Sequence, residues 1–223
     1  ASKEGTFIFV HLRNNVIREV LDDHIKDFVS EWMFELEDKS VYNAYVGNLK
    51  LQKEDFLSFL PSVNHRFLMD GEKESYIFYR NCAVRVTPSG ISRMSYDDLN
   101  GLVWEKSILD RDYREMDYSG CDFERFIYTI AGSESDRFLT MRTTLGYMLH
   151  RYNDPAYNPV VILNDESITD KPEGGTGKGI FVNSVSKIRR SVILDAQKID
   201  LKGRFTYQRV STDTQVICFN DAD

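Results

Sequence analysis

Apolar and polar positions change period along this chain, and each change predicts a different kind of element. After a strand-like start, TFIFVHL, residues 15–37 carry Ile17, Leu21, Ile25, Phe28, Val29 and Trp32 at helical spacing with charged residues between them, which predicts an amphipathic helix. His24 lies beside that stripe and reads as a partly exposed helix histidine. Residues 41–60 predict one or two shorter helices that stop before Pro61, because proline disfavours helical geometry in its predecessor; Phe56, Leu57, Phe59 and Leu60 are expected in the core. The run SYIFYRNCAVRVTPSGISRMSY is aromatic and β-branched, with turn signals at Arg80-Asn81 and Pro88-Ser89-Gly90, and predicts a small antiparallel sheet using Tyr76, Phe78, Val84 and Val86. Helical spacing returns in DFERFIYTIAG, with Asp122 as a cap and Gly132 as a stop. It continues in SDRFLTMRTTLGYMLHRYN, where Phe138, Met141, Leu145, Met148 and Leu149 recur.

Pro155 and Pro159 bracket a linker, and beyond them the pattern alternates strand and helix. VVIL is short and wholly apolar, as strands buried on both faces of a parallel sheet are. A polar stretch leads to the turn EGGTGKG, then to a predicted helix over 179–190 with Ile180, Phe181, Val185 and Ile188 inward. SVILDAQKI and TQVICFNDAD read as two further strands. The expected fold is therefore a partial α/β P-loop NTPase core of parallel strands, preceded by a mainly helical region with a small antiparallel sheet. The domains are read as 1–152 and 153–223.

Charge sharpens this division. The net charge is −7 over 223 residues, and residues 151–223 balance to zero, so the first 150 residues carry the whole excess of acid. That argues against a generic nucleic-acid-binding surface in the N-terminal part. The acids Asp110, Asp112, Glu115 and Asp117 offer carboxylates to a metal but lack patterned spacing, and a solvated loop is the simpler reading. Trp104 and Tyr113 have no interleaved basic residues and read as core aromatics rather than base-stacking platforms. Cys82, Cys121 and Cys218 are far apart, which suits neither a disulfide framework nor a zinc ribbon and points to a reducing cytoplasm. No apolar run reaches membrane-spanning length. The lack of an initiator Met and the end at Asp223 suggest a piece of a longer protein.

The chemistry concentrates in EGGTGKG. Glycines between a strand and a helix let backbone N–H groups approach a phosphate, the helix N-terminus adds positive potential, and a lysine reaches the terminal phosphates. Gly174, Gly175, Thr176, Gly177, Lys178 and Gly179 are the candidate phosphate-binding residues. Pro172 stands where the usual pattern has its first glycine, and Gly179 where it has the hydroxyl that ligates Mg²⁺. A carboxylate for Mg²⁺ is expected at the end of a neighbouring apolar strand; Val216–Phe219 followed by Asn220-Asp221 has that layout. Asp221 is the candidate metal residue. Asn220, an amide where a second acid is usual, is a candidate for the water-orienting role. Lys187, Arg189 and Arg190 end the helix, where cations oppose its dipole, while Lys198, Lys202, Arg204 and Arg209 with Phe205 and Tyr207 are candidates for strand or subunit contact.

In this context GYMLHRYNDPAYNPVVILNDESITDKPEGGTGKGIFVNSV followed by DTQVICFNDAD resembles the ATPase core of superfamily 3 helicases, in the poxvirus-type group joined to primases in phages, plasmids and mobile elements. YIFYRNCAVRVTPSGI and LVWEKSILDRDY are similar to the region that precedes the ATPase there, so the likeness covers roughly residues 75–223. The resemblance implies an ATP- and Mg²⁺-dependent homo-hexameric motor on single-stranded DNA. Residues 174–178 would hold the triphosphate, with Lys178 neutralising charge in transfer, and Asp221 with Asn220 would hold metal and water. The family's DNA-binding hairpin, sensor strand and arginine finger would follow residue 223; a finger alone is worth about 10³–10⁵ in rate. Residues 1–223 alone are therefore expected to be inactive or very weak. A nucleotide-dependent or degenerate interaction module is the alternative.

Overall fold

The structure, a computed structural model, describes residues 8–57, 59–63, 66–117, 120–165, 175–200, 203–211 and 213–221. In chain order the elements are β1 (Phe9–Arg13), β2 (Val16–Val20), α1 (Asp22–Glu35), α2 (Lys39–Gly47), α3 (Glu54–Leu57), β3 (Ser75–Tyr79), β4 (Cys82–Thr87), β5 (Gly90–Met94), β6 (Val103–Trp104), α4 (Asp122–Ile130), α5 (Ser135–Leu149), α6 (Lys178–Ser186), β7 (Ser191–Asp195) and β8 (Val216–Asn220). They gather into two compact units, Ala1–Leu68 with Ser95–Lys106, and Met69–Met94 with Ser107–Asp223.

In the first unit, β1 and β2 form an antiparallel hairpin, and β6 adds in parallel beside β2. Asn14 and Asn15 take φ of 50° and 58°, the left-handed pair that a two-residue hairpin turn demands and that asparagine tolerates. Asn15 Nδ2 then donates to the carbonyls of Tyr96 (3.1 Å) and Leu99 (3.0 Å), tying the turn to the later segment. This turn corrects the expected helix over 15–37. Residues 16–20 are drawn into the hairpin, Ile17 becomes core sheet, and the helix begins only at Asp22. Helices α2 and α3 stop before Pro61 as expected. Of the four apolar residues expected inside near α3, Leu57 is buried, whereas Phe56 and Leu60 are about half exposed and Phe59 is 82% exposed. Trp104 stacks on Phe67 at 5.4 Å.

The second unit contains the predicted antiparallel meander β3-β4-β5, with Tyr76, Phe78 and Val84 in its core. Tyr113 packs beside Tyr79 at 5.3 Å, and Arg80 pairs with Asp110 (3.5 Å) and Asp112 (3.4 Å), so that acidic segment has a cation partner. Helix α4 is capped by Cys121 Sγ, which accepts the Glu124 N–H, rather than by Asp122; Gly132, at φ 71°, ends the turn behind it.

The parallel sheet departs most from expectation. Strands β7 and β8 pair in parallel, Ser191 opposite Val216 through Asp195 opposite Asn220, and among the described residues the sheet has these two strands only. The VVIL run joins no ladder; Val160 and Ile162 are 84% and 83% exposed. A parallel strand is stable when neighbours satisfy its backbone and helices cover both faces. Here Pro159 offers no N–H, the Tyr147 hydroxyl donates to the Pro159 carbonyl (2.9 Å), and β8 itself leaves Ile217 and Phe219 exposed. The chain is thus a mixed assembly of small antiparallel sheets, helices and one two-stranded parallel sheet, and the expected parallel-strand P-loop core is overturned.

Candidate functional site

Helix α6 starts where the sequence places the phosphate-binding turn. Gly175 (φ 97°) and Gly177 (φ 90°, the N-cap) are both left-handed, a conformation that costs most residues energy and glycine little. Gly177 also presses against α4: a Cβ there would lie 2.8 Å from Ile130 Cγ2 and 3.2 Å from Phe126 Cζ. Glycine is required twice over, by dihedral and by space. Beyond the turn, Phe181 and Val185, one helical step of four apart, are 1% and 0% exposed and seat the helix in the core. Ile180, expected inward, faces out. The N-cap Gly177 has no side chain, and among the described residues no side chain accepts from the first-turn N–H groups, which keep their polarity for a ligand. Gly174 lies outside the described residues.

Lys178 is held at this turn. Its Nζ donates to Asp165 Oδ2 at 2.5 Å and to Thr176 Oγ1 at 3.2 Å. The Lys178 ammonium first, and the nearby Thr176 hydroxyl second, keep the Asp165 carboxyl below the usual range. Asp165 Oδ1 is enclosed and, despite Thr176 beside the carboxylate, no donor among the described residues reaches it in hydrogen-bonding geometry. Gly179, where a metal-ligating hydroxyl is usual, has open space around its Cα.

The far end of α6 is anchored by a buried polar knot. Arg189 donates to the Leu149 carbonyl (2.6 Å), the Tyr76 carbonyl (2.8 Å) and Ser75 Oγ (2.9 Å), and lies 3.6 Å from Asp70. The fully buried Asp70 carboxylate accepts from the Arg151 side chain (2.8 Å), the Arg151 N–H (2.9 Å) and the Tyr76 N–H (3.1 Å). Burial pushes the Asp70 carboxyl upward, but the Arg151 hydrogen bond and charge together with Ser75 outweigh it, and the group ends below its ordinary value. Burial, then the charge of Arg151, lowers Arg189 to about 10, still charged at neutral pH. Arg189 is therefore a strut fastening the helix end to the meander and to α5, a role deeper than opposing the dipole. Arg190 pairs with Asp213 at 2.6 Å.

At the end of β8, Asn220 Nδ2 donates to Asp221 Oδ2 (3.0 Å), and Asp221 sits at φ 53°. Asp195 stands opposite Asn220 across the ladder and pairs with Lys198 at 2.5 Å. The pKa of Lys198 is raised, first by Asp195 and more weakly by Asp221. The structure thus joins Lys178 with Thr176, and Asn220 with Asp221, while among the described residues no hydrogen bond or ion pair links the two groups. Asp165 and Asp195 were not singled out from sequence. Asp195 had a legible signal, an acid closing the apolar run SVIL like the acid after VICFN; Asp165 had none.

Among the described residues no group of three or more His, Cys, Asp or Glu could hold a metal. A lone Asp221 suits Mg²⁺ carried by a polyphosphate, which typically needs one or two carboxylates besides phosphates and water, and does not suit an ion held by protein alone. Among the described residues no helix is long and apolar enough to cross a membrane. No family model, curated protein or solved structure matches the chain.

Proposed function

We propose that the turn from Gly175 to Lys178 binds the phosphates of ATP, and that the chain is the nucleotide-binding part of a DNA helicase or primase-helicase acting in replication of a phage or mobile element. One observation carries this reading: two left-handed glycines lead into an uncapped helix whose first residue is a lysine. That arrangement presents backbone donors, helix polarity and an ammonium to one anion. The reading rests on the turn and its helix, not on a complete parallel core.

In this function the N–H groups around Thr176, Gly177, Lys178 and Gly179 orient the phosphates, Gly174 is a candidate for the same role from its sequence position, and Lys178 neutralises charge on the transferred group. Asp221 meets Mg²⁺ delivered with ATP, and the Asn220 amide orients Asp221 and water. Bound ATP supplies the reactive phosphoryl group. Single-stranded DNA is the track and a homo-hexamer the working assembly of the intact protein, in the cytoplasm. A second reading, an interaction module that does not hydrolyse nucleotide, is favoured by one observation: Lys178 is already paired with a carboxylate.

Calorimetric titration with Mg²⁺-ATP tests the first reading. The unmutated chain binds, and Lys178→Ala weakens binding by roughly tenfold or more, the value of a hydrogen bond to a charged group. Absence of binding by the unmutated chain at low salt sinks the nucleotide reading. ATP hydrolysis by the intact protein that rises with single-stranded DNA separates the motor from the module.

A further inference from the structure

Asp165 holds the one ammonium of the turn, and its position suggests more than a surface ion pair. Along 160–165 side chains alternate, with Val160, Ile162 and Asn164 exposed and Val161, Leu163 and Asp165 partly covered. Asp165 therefore reaches Lys178 from the packed side of a segment that joins no sheet ladder. One carboxylate oxygen meets Nζ at 2.5 Å; the other is enclosed, with the Thr176 hydroxyl beside the carboxylate. A carboxylate so placed uses the ammonium but little of the backbone-donor set at the start of α6.

Resting on the nucleotide reading above, we propose that Asp165 is a built-in competitor for the phosphate site. Its carboxylate occupies Lys178 until the terminal phosphates of a nucleoside triphosphate displace it. A polyphosphate carries more charge and more acceptor oxygens than one carboxylate and can engage Lys178 together with the uncapped N–H groups, so it wins the exchange at a cost in affinity. Displacing Asp165 removes a tie at the end of segment 159–165, whose start is held by the Tyr147–Pro159 hydrogen bond. Occupancy of the phosphate site is thereby coupled to the freedom of that segment.

The test is titration of ATP, with and without Mg²⁺, and of inorganic tripolyphosphate, into the unmutated chain, Asp165→Asn, Lys178→Ala and the control Asp136→Asn. Asp165→Asn is expected to bind both ligands about 2- to 5-fold more tightly, the range for loss of a competing, partly exposed ion pair. Asp136→Asn makes the same change in net charge on α5 and should leave affinity unchanged; an equal gain there would reduce the effect to overall charge and overturn the proposal. Equal or weaker binding by Asp165→Asn, while the unmutated chain binds and Lys178→Ala weakens it, overturns the competition and leaves the nucleotide site standing. Weaker binding confined to the Mg²⁺ arm assigns Asp165 to the metal and also overturns it. No binding by any variant removes the nucleotide reading and this inference together. Should Asp165→Asn not fold, hydrogen exchange on the unmutated chain decides. Faster exchange in 159–165 when ATP is added is expected, and unchanged or slower exchange overturns the proposal.

Discussion

Gly177 and Gly179 are two residues apart and face opposite constraints. Gly177 combines a φ of 90° with a missing Cβ that would press on Ile130 at 2.8 Å. Gly177→Ala should cost about 1–3 kcal/mol by strain and overpacking, read as a lower urea midpoint. Gly179 meets nothing within 4 Å of an added Cβ and lies inside α6. Gly179→Ser should therefore change stability by no more than about 0.5 kcal/mol, with its gain in helix propensity over glycine in the stabilising direction. Both substitutions fall in a turn that stood out in the sequence, because clustered glycines beside a lysine need no partner to be noticed. Which glycine is sterically required was not legible, since the neighbours at Gly177 are Phe126 and Ile130 from a distant helix. Asp165 stayed illegible for the same reason: it matters only because the fold brings it to Lys178.

The helices and strands are tied by polar groups as much as by apolar faces. Asp70 links the segment before β3 to Arg151 after α5, and Arg189 joins both to the end of α6. Asp70→Ala should cost about 3–5 kcal/mol, because it leaves buried arginine charge uncompensated; equilibrium denaturation at neutral pH measures it. The pH dependence has a definite sign. The folded-state pKa of Asp70 lies below the ordinary 3.8, so its contribution is complete above that value and is lost as pH falls through the folded pKa. The unmutated chain should lose stability on acidification below about pH 4, and Asp70→Asn should flatten that part of the slope. In the first unit, Asn15→Ala removes the amide that donates to the Tyr96, Asp97 and Leu99 carbonyls and puts alanine at φ 58°, so a loss of about 1–3 kcal/mol is expected by denaturation. That asparagine pair is also why the helical period across Ile17 and Leu21 misled. Local apolar spacing fitted a helix, but a two-residue turn with strand partners on both sides of β2 outweighed it.

Across the whole molecule the charge is −7, and several of the cations already have carboxylate partners: Arg85 with Glu74, Arg151 with Asp70, Arg190 with Asp213 and Lys198 with Asp195. A chain of net negative charge attracts a phosphate backbone only weakly. Anisotropy with a single-stranded oligonucleotide should show weak binding by this chain that vanishes toward physiological salt, and tight salt-insensitive binding would contradict this. The sequence by itself determined the antiparallel meander, α4 and α5, the β7 and β8 strands in order, and the glycine turn entering a helix. These depend on periodicity and turn chemistry within a few residues. Tertiary structure alone decided three matters: that VVIL joins no sheet, that Arg189 is a buried strut, and that Lys178 is gripped by Asp165. Each depends on which distant group fills a space or satisfies a charge. Apolar composition states that a segment can be buried, but only the presence of a neighbour to pair with decides that it is.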